Sequence, residues 1–257
     1  MAERRPFDLG GRVALVTGCG SPAGIGFASA RLLARMGAGV AITSTTARIE
    51  ERAADLRADG LDVVAAIPAD LTNRSDAFAL VEAVGRIDIL VNNAGMVQTG
   101  IENRSAVFAE LDPDALAHQL EITLKTAFHS TQAALPGMVG RGRGRVVMVS
   151  SVTGLYVTAV GSTAYATAKA GLDGLMRTIA IEHGRHGITV NSVAPGWIET
   201  ASSEPDELLA GEHTPVGRPG TAAEVAAVVG FLASDEASYV TGQSFIVDGG
   251  NIIQEHH

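Results

Sequence analysis

Seven short apolar runs, at 13–17, 39–43, 63–67, 87–91, 145–149, 188–193 and 244–247, alternate with longer stretches whose apolar residues recur at spacings of three and four. The longer stretches, at 25–36, 49–58, 75–84, 113–139, 163–183 and 221–233, read as helices. Strand followed by helix followed by strand implies right-handed βαβ crossovers. The expected fold class is therefore α/β, a doubly wound seven-stranded parallel sheet with helices on both faces. At 257 residues the chain suffices for one large domain, expected over 1–257. Its 46% hydrophobic but only 4% aromatic composition suits the aliphatic core of strands covered on both sides.

Local signals agree with these boundaries. Asp112-Pro113 offers an N-cap and a first-turn proline, Thr221 precedes Glu224 at capping-box spacing, and Gly37 and Gly60 stand where helices end. The stretch 195–220 has no strand pattern and carries four prolines with Glu199, Glu204, Asp206, Glu207 and Glu212. It reads as a substrate lid over about 197–220.

Charge and composition narrow the function classes. A net charge of −9 and a pI near 5.2 oppose nucleic acid or an anionic membrane as partner. No apolar run reaches the roughly 20 residues that span a bilayer, and "MAERRPFDLGGR" has no apolar signal-peptide core. With Cys19 as the lone cysteine no internal disulfide forms, and a cytoplasmic location is expected. His118, His129, His183, His186 and His213 show no metal-ligand spacing, and His256-His257 reads as an exposed tail.

The stretch "TGCGSPAGIG" places Gly18, Gly20, Gly24 and Gly26 between the first strand and the first helix, the context of a pyrophosphate cradle. A glycine turn without a ligand is the plainer alternative. The second strand ends "AITSTTARIE", where a carboxylate would select NAD. Ser44, Thr45 and Thr46 offer hydroxyls and Arg48 a guanidinium instead, favouring a 2′-phosphate and hence NADP(H), with NAD(H) as the alternative. These hydroxyls equally suit capping of the next helix.

In "YATAK", Tyr165 and Lys169 stand one helical turn apart on one face. A nearby ammonium, helped by the positive charge of an oxidised nicotinamide, is expected to lower the phenol's pKa and make it a proton donor or acceptor near neutrality. The chain has only two lysines, Lys125 and Lys169, and uses arginine almost everywhere else, which fits a site needing a compact ammonium. Upstream, "RVVMVSSVTG" runs a buried strand into Ser150 and Ser151, whose hydroxyls suit a substrate carbonyl. Cys19 at the start of a helix suggests a thiol nucleophile, but its place in the turn favours a small structural residue.

These residues resemble the short-chain dehydrogenases/reductases over about residues 12–250. Thr17-Gly18 with Gly24-Ile25-Gly26 resembles the family's cofactor turn, with Ser21 inside it; Asp70-Leu71 resembles its adenine-side pair; and Asn92, Asn93, Ala94 and Gly95 resemble its NNAG strand end. The resemblance implies a Rossmann fold, Ser151, Tyr165 and Lys169 as catalytic residues, and Pro195, Gly196, Ile198 and Thr200 around the nicotinamide. Two departures stand out. The glycine turn holds five residues between its first two family glycines rather than three, and Thr123 stands where an asparagine commonly orders a relay water. Threonine can hold such a water through its hydroxyl, so Thr123 joins the catalytic candidates.

The pattern is most similar to the 3-oxoacyl-acyl-carrier-protein reductase branch. That implies NADPH-dependent reduction of a ketone to a secondary alcohol, a small carbonyl substrate, acyl carrier protein as a candidate partner, and a homotetramer paired through the 113–139 and 163–183 helices. A general carbonyl reductase is the alternative, and a non-catalytic NADP(H) sensor a third reading. Arg141, Arg143 and Arg145 form a candidate docking patch for an acidic carrier, against which the acidic lid would act.

Overall fold

The structure, a computed structural model, describes residues 5–95 and 105–254. Seven strands form one parallel sheet: β1 (Val13–Val16), β2 (Gly39–Ser44), β3 (Val63–Pro68), β4 (Ile89–Asn92), β5 (Gly144–Val149), β6 (Ile188–Pro195) and β9 (Ser244–Val247). Their order is β3-β2-β1-β4-β5-β6-β9, so the winding reverses between β1 and β4. Ligands of such sheets bind at the carboxyl edge over that reversal.

Alternation along each strand divides the core. From β1, Ala14 and Val16 enter one cluster with Phe27 and Leu33 of α1 (Ile25–Arg35), Ile49 and Leu56 of α2 (Arg48–Ala58), and Val225 and Val229 of α9 (Ala222–Ala233). Leu15 enters the other with Leu80 of α3 (Arg74–Val84), Met138 of α5 (Thr126–Arg141) and Leu172 and Met176 of α7 (Thr163–His183). Burying each of the Val, Leu, Ile, Phe and Met side chains among these contributes about 1.5–3 kcal/mol. This is the doubly wound α/β sheet expected from the alternating pattern.

The 113–139 stretch is not one continuous helix. It comprises α4 (Pro113–Gln119), a π-helical segment Leu120–Lys125, and α5. A π segment adds a residue to the turn, which apolar spacing alone does not register. Asp112 caps α4 by accepting from the Asp114 amide at 2.9 Å. Between β6 and α9, the stretch read as strandless forms β7 (Ile198–Glu199), α8 (Pro205–Glu212) and β8 (Gly220–Thr221), with β7 and β8 paired in parallel. Two-residue strands have no readable period. Thr221 and Glu224 complete the expected capping box at the start of α9. His256 and His257 lie outside the described residues.

Candidate active site

The glycine turn leaves β1 and enters α1 close against the end of β4. The Thr17 hydroxyl accepts from the amides of Asn93 and Ala94, each at 3.0 Å, and the Asn93 side chain donates to the carbonyls of Thr17 and Gly18 at 3.2 and 3.1 Å. A Cβ on Gly26 would sit 2.7 Å from the Gly18 carbonyl oxygen, and one on Gly18, at φ +70°, would sit 2.9 Å from Ala94 backbone. Only glycine permits both approaches. The two extra residues are absorbed locally, since Gly24 donates to the Ser21 carbonyl at 3.2 Å.

A cleft opens here, lined by Gly18, Gly20, Ser21, Ser44, Thr45, Arg48, Asp70, Leu71, Ala94 and Gly95. The Ser21 hydroxyl is buried in it without a hydrogen-bond partner among the described residues. A glycine cradle, an orphaned hydroxyl and an exposed guanidinium fit a pyrophosphate and a nucleotide phosphate. Thr46 lies outside the lining and accepts from Arg48 Nε at 3.2 Å. The capping alternative for Ser44, Thr45 and Thr46 is not realised: α2 starts after Ala47 without a side-chain cap. Asp70 holds the turn after β3 by accepting from the Thr72 amide and hydroxyl at 3.1 and 2.8 Å, and the Leu71 side chain is buried.

Cys19 takes no part in the chemistry. It is fully buried, its thiol faces the Val16 carbonyl at 3.4 Å, and burial pushes the thiol pKa well up. Among the described residues no group of three His, Cys, Asp or Glu side chains gathers to hold a metal.

Beyond the cleft along the carboxyl edge, Ser151 stands between β5 and the single-turn α6 (Val152–Leu155). Its hydroxyl accepts from the Thr153 amide at 3.1 Å and acts on the nearby Tyr165 phenol, favouring its ionised form. Tyr165 and Lys169 share one face of α7, with Lys169 Nζ 5.6 Å from the phenol ring centre. Lys169 is buried and donates to the Val149 carbonyl at 2.8 Å. Burial, opposed by the nearby Asp173 carboxylate, pushes its pKa down to about 8.

The expected fall in the Tyr165 pKa is not produced by the protein's own groups. Burial raises it, the Ser151 hydrogen bond opposes the rise, and Glu207 of α8 adds to it. The ammonium is turned to a backbone carbonyl, and the ring's desolvation dominates.

Thr123 is fully buried in the π segment. Its hydroxyl donates to the Gly95 carbonyl and accepts from Gln119 Nε2 at 2.8 Å. Its one proton is thus committed, so a relay water at this oxygen would have to be the donor. Gln119 stands four residues before Thr123, a spacing that any helical turn brings together, so that signal was present in the sequence. Pro195 ends β6 and Gly196, Ile198 and Thr200 follow it, Gly196 packing against Asp248 so closely that a Cβ would meet its Cβ at 2.6 Å. The Thr200 hydroxyl pairs with those of Ser202 and Ser203 at 3.1 and 3.2 Å.

The arginine patch is not at the cleft. Arg145 is the second residue of β5, whose far end carries the serines, about 20 Å away at strand rise. Arg145 is buried, donating to the carbonyls of Ser234 and Gly144 at 3.1 and 3.0 Å. Arg143 pairs with Asp235, and Arg141 faces Asp88 and the Ile87 carbonyl. All three close the amino edge of the sheet.

Comparison with known proteins agrees with this geometry. A family model described as "Enoyl-(Acyl carrier protein) reductase" matches residues 18–251. The chain belongs to the short-chain dehydrogenase/reductase family. Oxidoreductase UcpA of Escherichia coli (strain K12) is 36% identical over 96% of this chain and 97% of its own. The 3-oxoacyl-[acyl-carrier-protein] reductase FabG of Thermotoga maritima is 41% identical over 95% of this chain and 99% of its own. An Agrobacterium tumefaciens protein solved with bound NADP, provisionally named a 2-deoxy-D-gluconate 3-dehydrogenase, superposes with a TM-score of 0.86 at 32% identity, covering 98% of this chain and all of its own. As a member of this family, the protein is an NAD(P)-dependent oxidoreductase with a Rossmann fold.

Proposed function

We propose that the protein reduces a ketone to a secondary alcohol with NADPH, using Tyr165 as proton donor. The observation that carries this reading is the meeting of Ser151, Tyr165 and Lys169 at the carboxyl edge beside the glycine cleft. When bound, the nicotinamide supplies the hydride, and in its oxidised form the positive charge that the protein's own groups do not provide to the phenol. Ser151 donates a hydrogen bond to the substrate carbonyl oxygen, and the Tyr165 hydroxyl gives its proton to the oxygen as negative charge develops there. Lys169 orients the ribose hydroxyls and the phenol from beneath. Pro195, Gly196, Ile198 and Thr200 position the nicotinamide, and Thr123 takes the relay position. Arg48, exposed at the mouth of the cleft with Ser44 and Thr45, pairs with the 2′-phosphate and sets the preference for NADPH over NADH.

Two substrate readings divide on electrostatics. Similarity to the FabG relatives supports a 3-oxoacyl thioester, with acyl carrier protein as partner. The amino-edge location of Arg141, Arg143 and Arg145 and the acidic α8, whose Glu207 acts on Tyr165, favour free small or cyclic ketones. The deciding experiment measures NADPH oxidation, with NADH in parallel, on acetoacetyl thioesters and a ketone panel, with Tyr165→Phe as blank. Turnover confined to thioesters supports the carrier-linked reading, and turnover on free ketones alone supports the general reductase. Oxidation that persists at full rate in Tyr165→Phe removes the proton-donor assignment.

The same reading makes 1–257 one catalytic domain, with 197–220 as a lid that brings Trp197, Leu208 and Leu209 over the substrate, and sets it in the cytoplasm. It also makes the protein a homotetramer. Leu120, Leu124, Phe128, Gly171 and Leu175 line an apolar groove across the π segment, α5 and α7, and pairing of this face between copies would cover it. A monomer by light scattering at micromolar concentration removes the assembly.

A further inference from the structure

Asp173 lies one turn beyond Lys169 on α7 and is fully buried. Its two carboxylate oxygens are each taken by a serine hydroxyl: Ser150 at the end of β5 donates to Oδ2 at 2.5 Å, and Ser192 of β6 donates to Oδ1 at 2.5 Å. The Ser150 hydroxyl also lies 3.3 Å from the Lys169 carbonyl oxygen. Both serines are buried. A carboxylate in this position would be strongly unfavourable without a compensating positive charge and hydrogen bonds. The two serines supply the hydrogen bonds, and Lys169, whose electrostatic partner it is, supplies the charge.

We propose that Asp173 is a positioning residue of the active site: its carboxylate, clamped by Ser150 and Ser192, is the counter-charge of Lys169 and fixes α7 against the ends of β5 and β6. Ser150 is the residue immediately before Ser151, and Tyr165 and Lys169 share the helix that carries Asp173. One carboxylate therefore sets the separation between the serine and the two α7 residues. The inference rests on the proposed roles of Tyr165 and Lys169, but it makes a claim about protonation that holds whatever the substrate.

The other groups around Lys169 are accounted for. Its ammonium meets the Val149 carbonyl of β5 and the Tyr165 ring of α7, and its backbone carbonyl accepts from the Ser150 hydroxyl. The further charged or titratable groups on elements packed against α7 are Asp114 and His118 of α4, Glu121 and Lys125 of the π segment, His129 and Arg141 of α5, Arg145 of β5, and Arg185 and His186 just beyond α7. Glu121 and Lys125 pair with each other at the surface, and His129, Arg141 and Arg145 bond backbone carbonyls. Burial and Asp173 are the two causes that act on Lys169.

The test uses the fact that the chain has two lysines. Protein labelled with ε-13C-lysine gives two Cε resonances, assigned by Lys125→Arg, and titrating them reads the protonation of Lys169 without any substrate. In Asp173→Asn the Lys169 midpoint is expected to fall by about one pH unit or more, while Lys125 stays put. The kcat–pH profile should lose its high-pH side at correspondingly lower pH, activity returning as the pH is lowered, and Asp173→Glu should restore part of both. A midpoint that does not move, with kcat reduced equally at every pH, means that Asp173 is only a packing residue and overturns the proposal. If Asp173→Asn does not fold, Lys169→Met and Lys169→Met/Asp173→Asn decide by urea unfolding. The neutral pair must be the more stable of the two, and equal or lower stability overturns the proposal. Absence of turnover on every ketone would remove the reductase reading and leave the lysine titration standing.

Discussion

Lys169 Nζ sits 5.6 Å from the centre of the Tyr165 ring and donates to the Val149 carbonyl at 2.8 Å, so the ammonium is held beneath the phenol by the strand that ends in the serines. This relationship ties the protonation of α7 to the sheet edge and makes the site sensitive to small changes on either element.

Tyr165→Phe removes the transferable proton and keeps the ring over Lys169. The expected result is a loss of roughly 10²–10⁴-fold in kcat with NADPH binding, read by fluorescence titration, unchanged. Loss of binding together with activity would instead mean that the ring's packing, not its hydroxyl, matters.

The stability of the protein should rise with pH because of Lys169. Its native pKa, about 8, lies below the ordinary 10.5, so between these values the unfolded chain holds a proton that the native protein has released. The unfavourable contribution is fully present below about 8 and is relieved as pH rises through that window. Urea unfolding at about pH 7 and about pH 9.5 should show wild type gaining roughly 1–3 kcal/mol relative to Lys169→Met. A constant difference between the two proteins would contradict the lowered value.

Arg48→Ala should raise the KM for NADPH by roughly 10–100-fold, the range of a hydrogen-bonded charge contact, with a smaller effect on NADH. Equal effects on both cofactors, measured by initial rates, would separate Arg48 from the 2′-phosphate.

Gly26→Ala places a methyl group 2.7 Å from the Gly18 carbonyl oxygen, and neither backbone segment can give way without disturbing Asn93. A loss of about 1–3 kcal/mol together with weakened NADPH binding is expected. Gly174→Ala, on α7 where a Cβ meets nothing within 4 Å, serves as the contrasting variant and should be neutral or stabilising.

Arg145→Ala should lower stability by about 1–3 kcal/mol, because the buried carbonyls of Ser234 and Gly144 lose their donor. The KM for acetoacetyl thioesters should not change. A selective rise in that KM would return the arginines to a docking role that their amino-edge location opposes.

Much of this molecule follows from local rules that a linear chain displays. The seven apolar runs, the capping box at Thr221 and Glu224, and the span 163–183 depend on periodicity and on neighbours a few residues away, and each stands where the residues imply. Tyr165 and Lys169 share a face for the same reason, since a helix fixes that relationship wherever it packs. The family assignment draws on the same order of motifs along the chain.

The sequence alone could not reveal what depends on which segments meet. The contact that hands the Thr123 hydroxyl to the Gly95 carbonyl, the removal of the Arg141–Arg145 patch to the far edge, and the rise in the Tyr165 pKa all arise from burial and from contacts across long separations. Asp173 is the clearest case. In sequence it is a carboxylate on a helix, indistinguishable from a solvated one, except that it falls between Leu172 and Met176 on the face that the core covers. Only when the ends of β5 and β6 bring Ser150 and Ser192 onto its two oxygens does it become a hydrogen-bonded buried charge one turn from Lys169, because desolvation and hydrogen bonding are properties of the packed fold and not of the residue.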